Sequence, residues 1–247
     1  MYCKTTGIVL RETDYRDNDK LLTVLTQEYG KLTVKARGVK SARSRSKAAC
    51  QLLAYSEFTL SERQERYVIT ETEPLALFAA LRDNIELLSL ASYFAQVTET
   101  VALENEPQPE LLSLLLNALY ALAVLQKPQA LVRAVFEFRL ACIIGFLPDL
   151  RGCVVCGRED CGCFNVSQGV LQCAGCRSEN SEGLRLPVSA GTLAALRFLS
   201  AADSRKLFSF TLSEQSLREL SGVAEAYLSL RLERGFYTLD FYKSLFL

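Results

Sequence analysis

Cys153-Val-Val-Cys156 and Cys173-Ala-Gly-Cys176 are two CxxC pairs separated by 16 residues. Each CxxC makes a tight knuckle that offers two sulfurs to one ion, and two facing knuckles complete a tetrahedron with Zn–S bonds of about 2.3 Å. The spacing predicts a structural Zn2+ held by Cys153, Cys156, Cys173 and Cys176. Protein sulfurs would fill all four positions, so such an ion would activate no water. Cys161 and Cys163 lie in the spacer, and either could take the place of one of the four. The two-residue spacing favours the CxxC pairs. A metal-free knuckle or a thioredoxin-like redox pair is the plainer alternative. A redox CxxC normally follows a strand in a βαβ unit, however, whereas this one reads as following a helix. Cys3, Cys50 and Cys142 sit among apolar neighbours and read as small buried side chains.

The second chemically loaded stretch is KLTVKARGVKSARSRSKAA, residues 31 to 49. It holds Lys31, Lys35, Arg37, Lys40, Arg43, Arg45 and Lys47 and no acid, although the whole chain balances 28 Lys+Arg against 28 Asp+Glu. Up to Arg37 it alternates strictly. In a strand this puts Lys31, Thr33, Lys35 and Arg37 on one face and Leu32, Val34 and Ala36 on the other. Beyond Gly38 the alternation stops, and the remaining four cations fall on what reads as a flexible loop. A basic row beside a mobile basic arm suits a phosphate backbone, which needs many contacts and no base code. An ordinary solvated strand face is the alternative, but seven like charges in one short stretch repel each other. Tyr29, Tyr55 and Tyr67 could stack on bases or sit half-buried in the same element.

Histidine is absent. Ser-His and Cys-His nucleophile pairs and a His-ligated catalytic zinc are therefore excluded, and no other spacing singles out an acid or base. The expectation is a protein without catalysis of its own. The first twenty residues contain no apolar run of the signal-peptide kind. The longest uncharged run, Leu111 to Gln126, falls short of the roughly 18 to 20 residues that span a bilayer. These features point to a cytoplasmic protein with reduced thiols and no membrane partner.

The elements that must position these groups fall into two expected domains. Residues 1–72 carry five short runs rich in Val, Ile, Leu, Thr and Tyr, separated by turn-like segments. They suit a small closed barrel, of which the five-stranded OB-fold is the commonest that binds nucleic acid; an SH3-like barrel fits almost as well. Residues 73–247 read as mainly helical, with the cysteine-rich insertion at 151–180. Pro74 stands where a first-turn proline would open a helix that continues through Leu75, Phe78, Leu81, Ile85 and Leu88. Glu110 to Leu125 and Ala130 to Gly145 read as further apolar helices. Ser189 and Ser213 can cap two more, the second with Gly235 as a stop. The tail GFYTLDFYKSLFL is apolar enough to pack back on the helices. The fold class expected is α+β: an OB-fold barrel, then a mainly α-helical bundle carrying a four-cysteine zinc knuckle.

FEFRLACIIGFLPDLRGCVVCG, residues 136–157, resembles the signature that joins bundle to zinc site in the RecO family of bacterial recombination mediators. Phe136, Glu137, Arg139, Leu140, Gly145, Pro148, Cys153 and Cys156 carry the resemblance. The order of parts also matches along essentially the whole chain. Cys161 and Cys163 depart from the pattern. The resemblance implies a non-catalytic protein of DNA repair and recombination, associated with the nucleoid. It implies binding to single- and double-stranded DNA, annealing of complementary strands and work with RecR. It also implies help in loading RecA onto strands coated by single-stranded-DNA-binding protein. It further implies a docking groove in the bundle for the acidic, apolar C-terminal tail of that protein, with Arg133 and Arg139 as candidate rim residues. The competing expectations are a zinc-containing protein-interaction adaptor without direct DNA contact and, more remotely, an enzyme with a carboxylate or Lys centre.

Overall fold

The computed structural model describes residues 2–63, 66–176 and 183–246. The chain divides into two compact units, residues 1–124 with 236–247, and residues 125–235.

In the first unit, β1 (Tyr2–Tyr15), β2 (Asp19–Thr26), β3 (Gly30–Ala36), β4 (Tyr55–Arg63) and β5 (Arg66–Ala76) close a barrel in the order β1-β2-β3-β5-β4. β1 is long enough to pair antiparallel with both β2 and β4, and a register shift between Val9 and Arg11 lets it turn from one partner to the other. Closure is completed by a short parallel pairing of β3 with β5 at Val34–Tyr67 and Lys35–Val68. This is the OB-type arrangement, and it sets aside the SH3-like alternative. Alternation along β2 and β3 sends Leu22, Val24, Leu32, Val34 and Ala36 inward, where they meet Val9, Phe58 and Leu60.

Pro74 does not open a helix. β5 runs on through it, with Pro74 opposite Ser56 and Ala76 opposite Tyr55. The helix α1 (Ile85–Val101) begins only after Asn84, whose side-chain oxygen accepts from the N–H groups of Glu86 (2.8 Å) and Leu87 (3.1 Å). Cross-strand pairing with β4 overrides the helical spacing of Leu75, Phe78 and Leu81, and the true start carries an Asn cap with an acidic first turn. α2 (Pro109–Ala123) follows. The tail forms α6 (Tyr237–Ser244), which returns to α1: Phe236 meets Tyr93 edge-on at 5.8 Å, and Thr238 Oγ1 donates to Gln96 at 2.5 Å.

The second unit holds α3 (Gln129–Ile143), a small sheet of β6 (Asp149–Cys153), β7 (Cys163–Asn165), β8 (Val170–Gln172) and β9 (Arg185–Pro187), then α4 (Ala190–Ala201) and α5 (Glu214–Leu232). The sheet order is β6-β8-β7-β9. α3 packs on α5, with Phe138 6.3 Å from Tyr227, and Phe164 of β7 stands edge-on to the same Tyr227 at 5.5 Å. α5 ends at Glu233, which itself takes a left-handed φ of 50°, so the stop falls there rather than at Gly235. No helix among the described residues is long and apolar enough to cross a membrane.

Candidate metal centre and nucleic-acid interface

The signature stretch explains how the cysteines are aimed. α3 ends in a Schellman turn: Phe146 N–H donates to Ala141 O at 2.9 Å and Gly145 N–H to Cys142 O at 3.2 Å. Gly145 has a φ of 100°, open only to glycine at low cost. The chain then enters β6, so the first knuckle follows a short strand rather than the helix itself. At its end Gly157, with φ of 74°, donates to Cys153 O at 2.8 Å, and Cys153 N–H donates to Arg158 O at 2.8 Å. The second knuckle leaves β8, and Cys176 N–H donates to Cys173 O at 3.2 Å.

The four sulfurs of Cys153, Cys156, Cys173 and Cys176 all lie within 4.8 Å of one another, and Cys156 Sγ stands 3.7 Å from Cys173 Sγ. A tetrahedron with bonds of about 2.3 Å would set its sulfurs about 3.8 Å apart, so the donor set fits one soft cation. Backbone N–H groups favour thiolates here. Those of Cys173, Cys156 and Val155 outweigh burial and hold the Cys153 thiol down at about 6, and that of Cys176 lowers Cys173. The neighbouring sulfurs of Cys156 and Cys173 push Cys176 up to about 12. Without a cation the four cannot all be charged; a divalent ion would remove the conflict. Cys161 and Cys163 stand outside the four. Cys161 Sγ donates to Arg158 O at 3.2 Å, and burial with the charge of Cys153 and Cys173 raises it to about 11. Cys163 is buried on β7 opposite Gln172. Cys50 is buried in the barrel core, and Cys3 packs against that core half-buried. Residues 177–180, the end of the expected insertion, lie outside the described residues.

Two arginines that the sequence did not single out tie this sheet to its helices. Arg197 of α4 donates through Nε to Leu150 O (2.8 Å) and through Nη2 to Arg151 O (3.2 Å). Arg231 of α5 donates to Val166 O (3.3 Å) and Ser167 O (3.2 Å), with its guanidinium over the rings of Tyr227 and Phe146. Arg133 and Arg139 are likewise engaged internally. Arg133 Nη1 lies 2.7 Å from Glu225 and 3.2 Å from the fully buried Glu137, and Arg139 Nη1 caps the end of α4 through Leu199 O and Ser200 O.

The basic stretch splits into two sets. Lys31, Lys35 and Lys40 are neutralised locally. Lys31 Nζ meets Glu99 O (3.1 Å) and Glu104 (3.4 Å), where residues 103–105 pair alongside the start of β3. Lys35 is 2.9 Å from Asp19, and Lys40 is 2.9 Å from Asp14. Arg37, Arg43, Arg45 and Lys47 are exposed and have no carboxylate within ion-pair distance among the described residues. The segment that bears them is a chain of turns rather than a free arm. Ser41 N–H donates to Gly38 O, Ser44 N–H to Ser41 O and Cys50 N–H to Ser46 O, while Val39, Ala49, Cys50 and Leu53 are buried beneath. Of the three tyrosines, Tyr67 packs against the barrel core and Tyr55 is half-buried in β4. Tyr29 is exposed, but burial of its hydroxyl and the charges near it, including Glu28 and Glu62, raise its pKa.

The family model for Recombination protein O N terminal matches residues 1–78, and that for Recombination protein O C terminal matches residues 82–240. Over 246 residues the chain is 34% identical to the DNA repair protein RecO of Acetivibrio thermocellus, covering 99% of this chain and 97% of the other. The DNA repair protein RecO of Desulforamulus reducens is 33% identical over 246 residues, 98% of this chain and 94% of its own. That of Heliobacterium modesticaldum is 34% identical over 235 residues, 92% and 84% respectively. The two family models run in succession through the barrel, the helices and the cysteine cluster, and the chain belongs to the RecO family of DNA repair proteins.

Proposed function

We propose that this chain is a non-catalytic DNA-binding protein of recombinational repair, and that the β1–β5 barrel is its nucleic-acid module. It binds single- and double-stranded DNA through phosphate contacts and anneals complementary strands. Working with RecR, it helps load RecA onto strands coated by single-stranded-DNA-binding protein. The observation that carries this reading is the set of four exposed cations, Arg37, Arg43, Arg45 and Lys47, that have no carboxylate partner among the described residues, on an OB-type barrel. Charges without local partners are free to displace counterions from a phosphate backbone. Lys31, Lys35 and Lys40 would reach DNA only by exchanging a carboxylate for a phosphate.

The four-cysteine centre serves this role as a structural zinc site: Cys153, Cys156, Cys173 and Cys176 would hold the ion. When bound it supplies folding energy to a small sheet and no reactive water. The helical elements that follow the barrel would carry the partner sites.

A second reading keeps the zinc site and removes the DNA contact, leaving a protein-interaction adaptor. It is favoured by an apolar groove of about 400 Å³ between α1 and α6, bordered by the exposed Ile85, Tyr237 and Phe241. Titrating single-stranded DNA binding against salt separates the two. The first reading expects affinity that falls steeply with ionic strength; absence of binding at low salt leaves the adaptor.

A further inference from the structure

At the β1–β2 turn the ring of Tyr15 carries two cations over it. Lys35 Nζ lies 4.8 Å from the ring centroid and the Arg16 guanidinium carbon 5.3 Å. Tyr15 is 36% exposed. Arg16 is exposed too and holds a φ of 57°, a left-handed conformation that non-glycine residues seldom adopt and that clusters at binding sites. The turn is tied to the start of the basic segment. Gly38 N–H donates to Asp19 Oδ1 at 2.8 Å, Lys40 N–H donates to Asn18 O at 3.1 Å, and Lys40 Nζ meets Asp14. An aromatic ring therefore stands next to the point where Arg37 and the other exposed cations leave the barrel.

We infer that Tyr15, flanked by Arg16 and Lys35, is a base-stacking platform for single-stranded DNA whose phosphates lie along Arg37, Arg43, Arg45 and Lys47. This rests on the DNA-binding reading and adds a single-strand-specific site to it. Stacking asks for an accessible π-face beside positive charge, because every base offers a π-face and every nucleotide brings a phosphate. Tyr15 is 36% exposed and stands beside positive charge, and a base would take the ring face as the exposed Arg16 guanidinium swings from the ring to a phosphate. Tyr29, equally exposed, stands near Glu28 and Glu62, whose charges oppose an approaching strand. The acids at the strand ends beside the turn are already engaged, Asp14 with Lys40 and Asp19 with Lys35, and Asp17 within the turn is the opposing charge. A duplex keeps its bases stacked inside, so only single strands can use the ring.

The test compares the full chain with Tyr15→Ala and Tyr15→Phe on a single-stranded oligothymidylate and on a mixed-sequence duplex. Tyr15→Ala should weaken single-strand binding about five- to a hundredfold, with the salt slope and duplex affinity unchanged. Tyr15→Phe should retain affinity. Because the chain has no tryptophan, Tyr15→Trp supplies a sole reporter whose emission should be quenched by the oligothymidylate and not by the duplex. Single-strand affinity unchanged in Tyr15→Ala, equal losses on single strand and duplex, or Tyr15→Trp emission unchanged at saturating single strand would each overturn the platform. If the parent chain binds no DNA, the DNA-binding reading fails and the platform with it.

Discussion

Cys156 Sγ lies 3.7 Å from Cys173 Sγ, one sulfur from each knuckle, with no covalent bond between them. That separation is too long for a disulfide and close to the edge of a thiolate tetrahedron around one ion. Protein purified without chelator should carry about one zinc per chain. Replacing Cys153 and Cys156 with Ser should remove it and lower stability, since the ion's binding energy is also folding energy. Cys161→Ser should retain the metal, because its thiol is spent on Arg158 O. Elemental analysis of the three proteins checks this, and loss of zinc from Cys161→Ser alone would reassign the ligands.

Arg133 bridges Glu225 and the fully buried Glu137. Removing the cation withdraws a charged partner from a carboxylate in the core. Arg133→Met should cost about 3–5 kcal/mol in denaturant unfolding. Adding Glu137→Gln should recover part of that loss, because the buried charge goes with it. A single variant of parental stability would show that Glu137 is satisfied without Arg133.

Burial works against ionisation of Glu219, but the Thr192 hydroxyl (2.6 Å), the Ser189 N–H (2.7 Å) and the Gln215 amide (3.0 Å) more than offset it and hold the carboxyl down at about 2. The folded pKa lies below the unfolded one, about 4.3. The contribution is therefore complete above that pH and is lost as pH falls toward 2. Glu219 is partly exposed, so we expect about 1–2 kcal/mol after allowance for solvent screening. Glu219→Gln should be less stable at neutral pH and should flatten the acid limb of stability against pH. An acid limb identical to the parent's would remove Glu219 from that role.

Gly145 separates conformational cost from crowding, because a Cβ added there meets nothing within 4 Å. Gly145→Ala should destabilise by about 1–2 kcal/mol through its φ of 100° alone. Equal stability in urea unfolding would mean that the turn relaxes to another conformation.

The barrel was legible in the sequence because strict alternation, as in Lys31 to Arg37, reports a face buried on one side, and Leu32, Val34 and Ala36 are buried as that pattern requires. The four clustered cysteines were legible because knuckle geometry fixes a local spacing. Pro74 misled because helical spacing of Leu75, Phe78 and Leu81 says nothing of the β4 edge waiting opposite. Asn84, followed by Glu86, was the available signal for the helix start. The pairing of Lys31 with Glu104 and of Lys40 with Asp14 joins residues far apart in sequence, and charge counting within a stretch cannot reveal it. For the same reason Tyr15 carries no local signal: its cations come from Arg16 next door and from Lys35, two strands on.

That division of the basic stretch gives the last prediction. For single strands, log K falls with log salt by about 0.7 per phosphate contact. If Arg37, Arg43, Arg45 and Lys47 each make one, the slope should be about −3. Changing Arg43, Arg45 and Lys47 together to Ala should make it shallower by about 2, and equally for unrelated sequences, since phosphate contacts position without specifying. Folding should survive, because these side chains are exposed while Val39, Ala49, Cys50 and Leu53 hold the segment down. Lys31→Ala should behave differently. Its ammonium is spent on Glu99 O and Glu104, so stability should fall while the salt slope stays within error of the parent's. Thermal melts and salt titrations on the parent and both variants check the two halves. A triple variant with the parental slope would mean that these cations serve something other than DNA. A Lys31 variant that flattens the slope would mean that its ion pair opens to admit a phosphate.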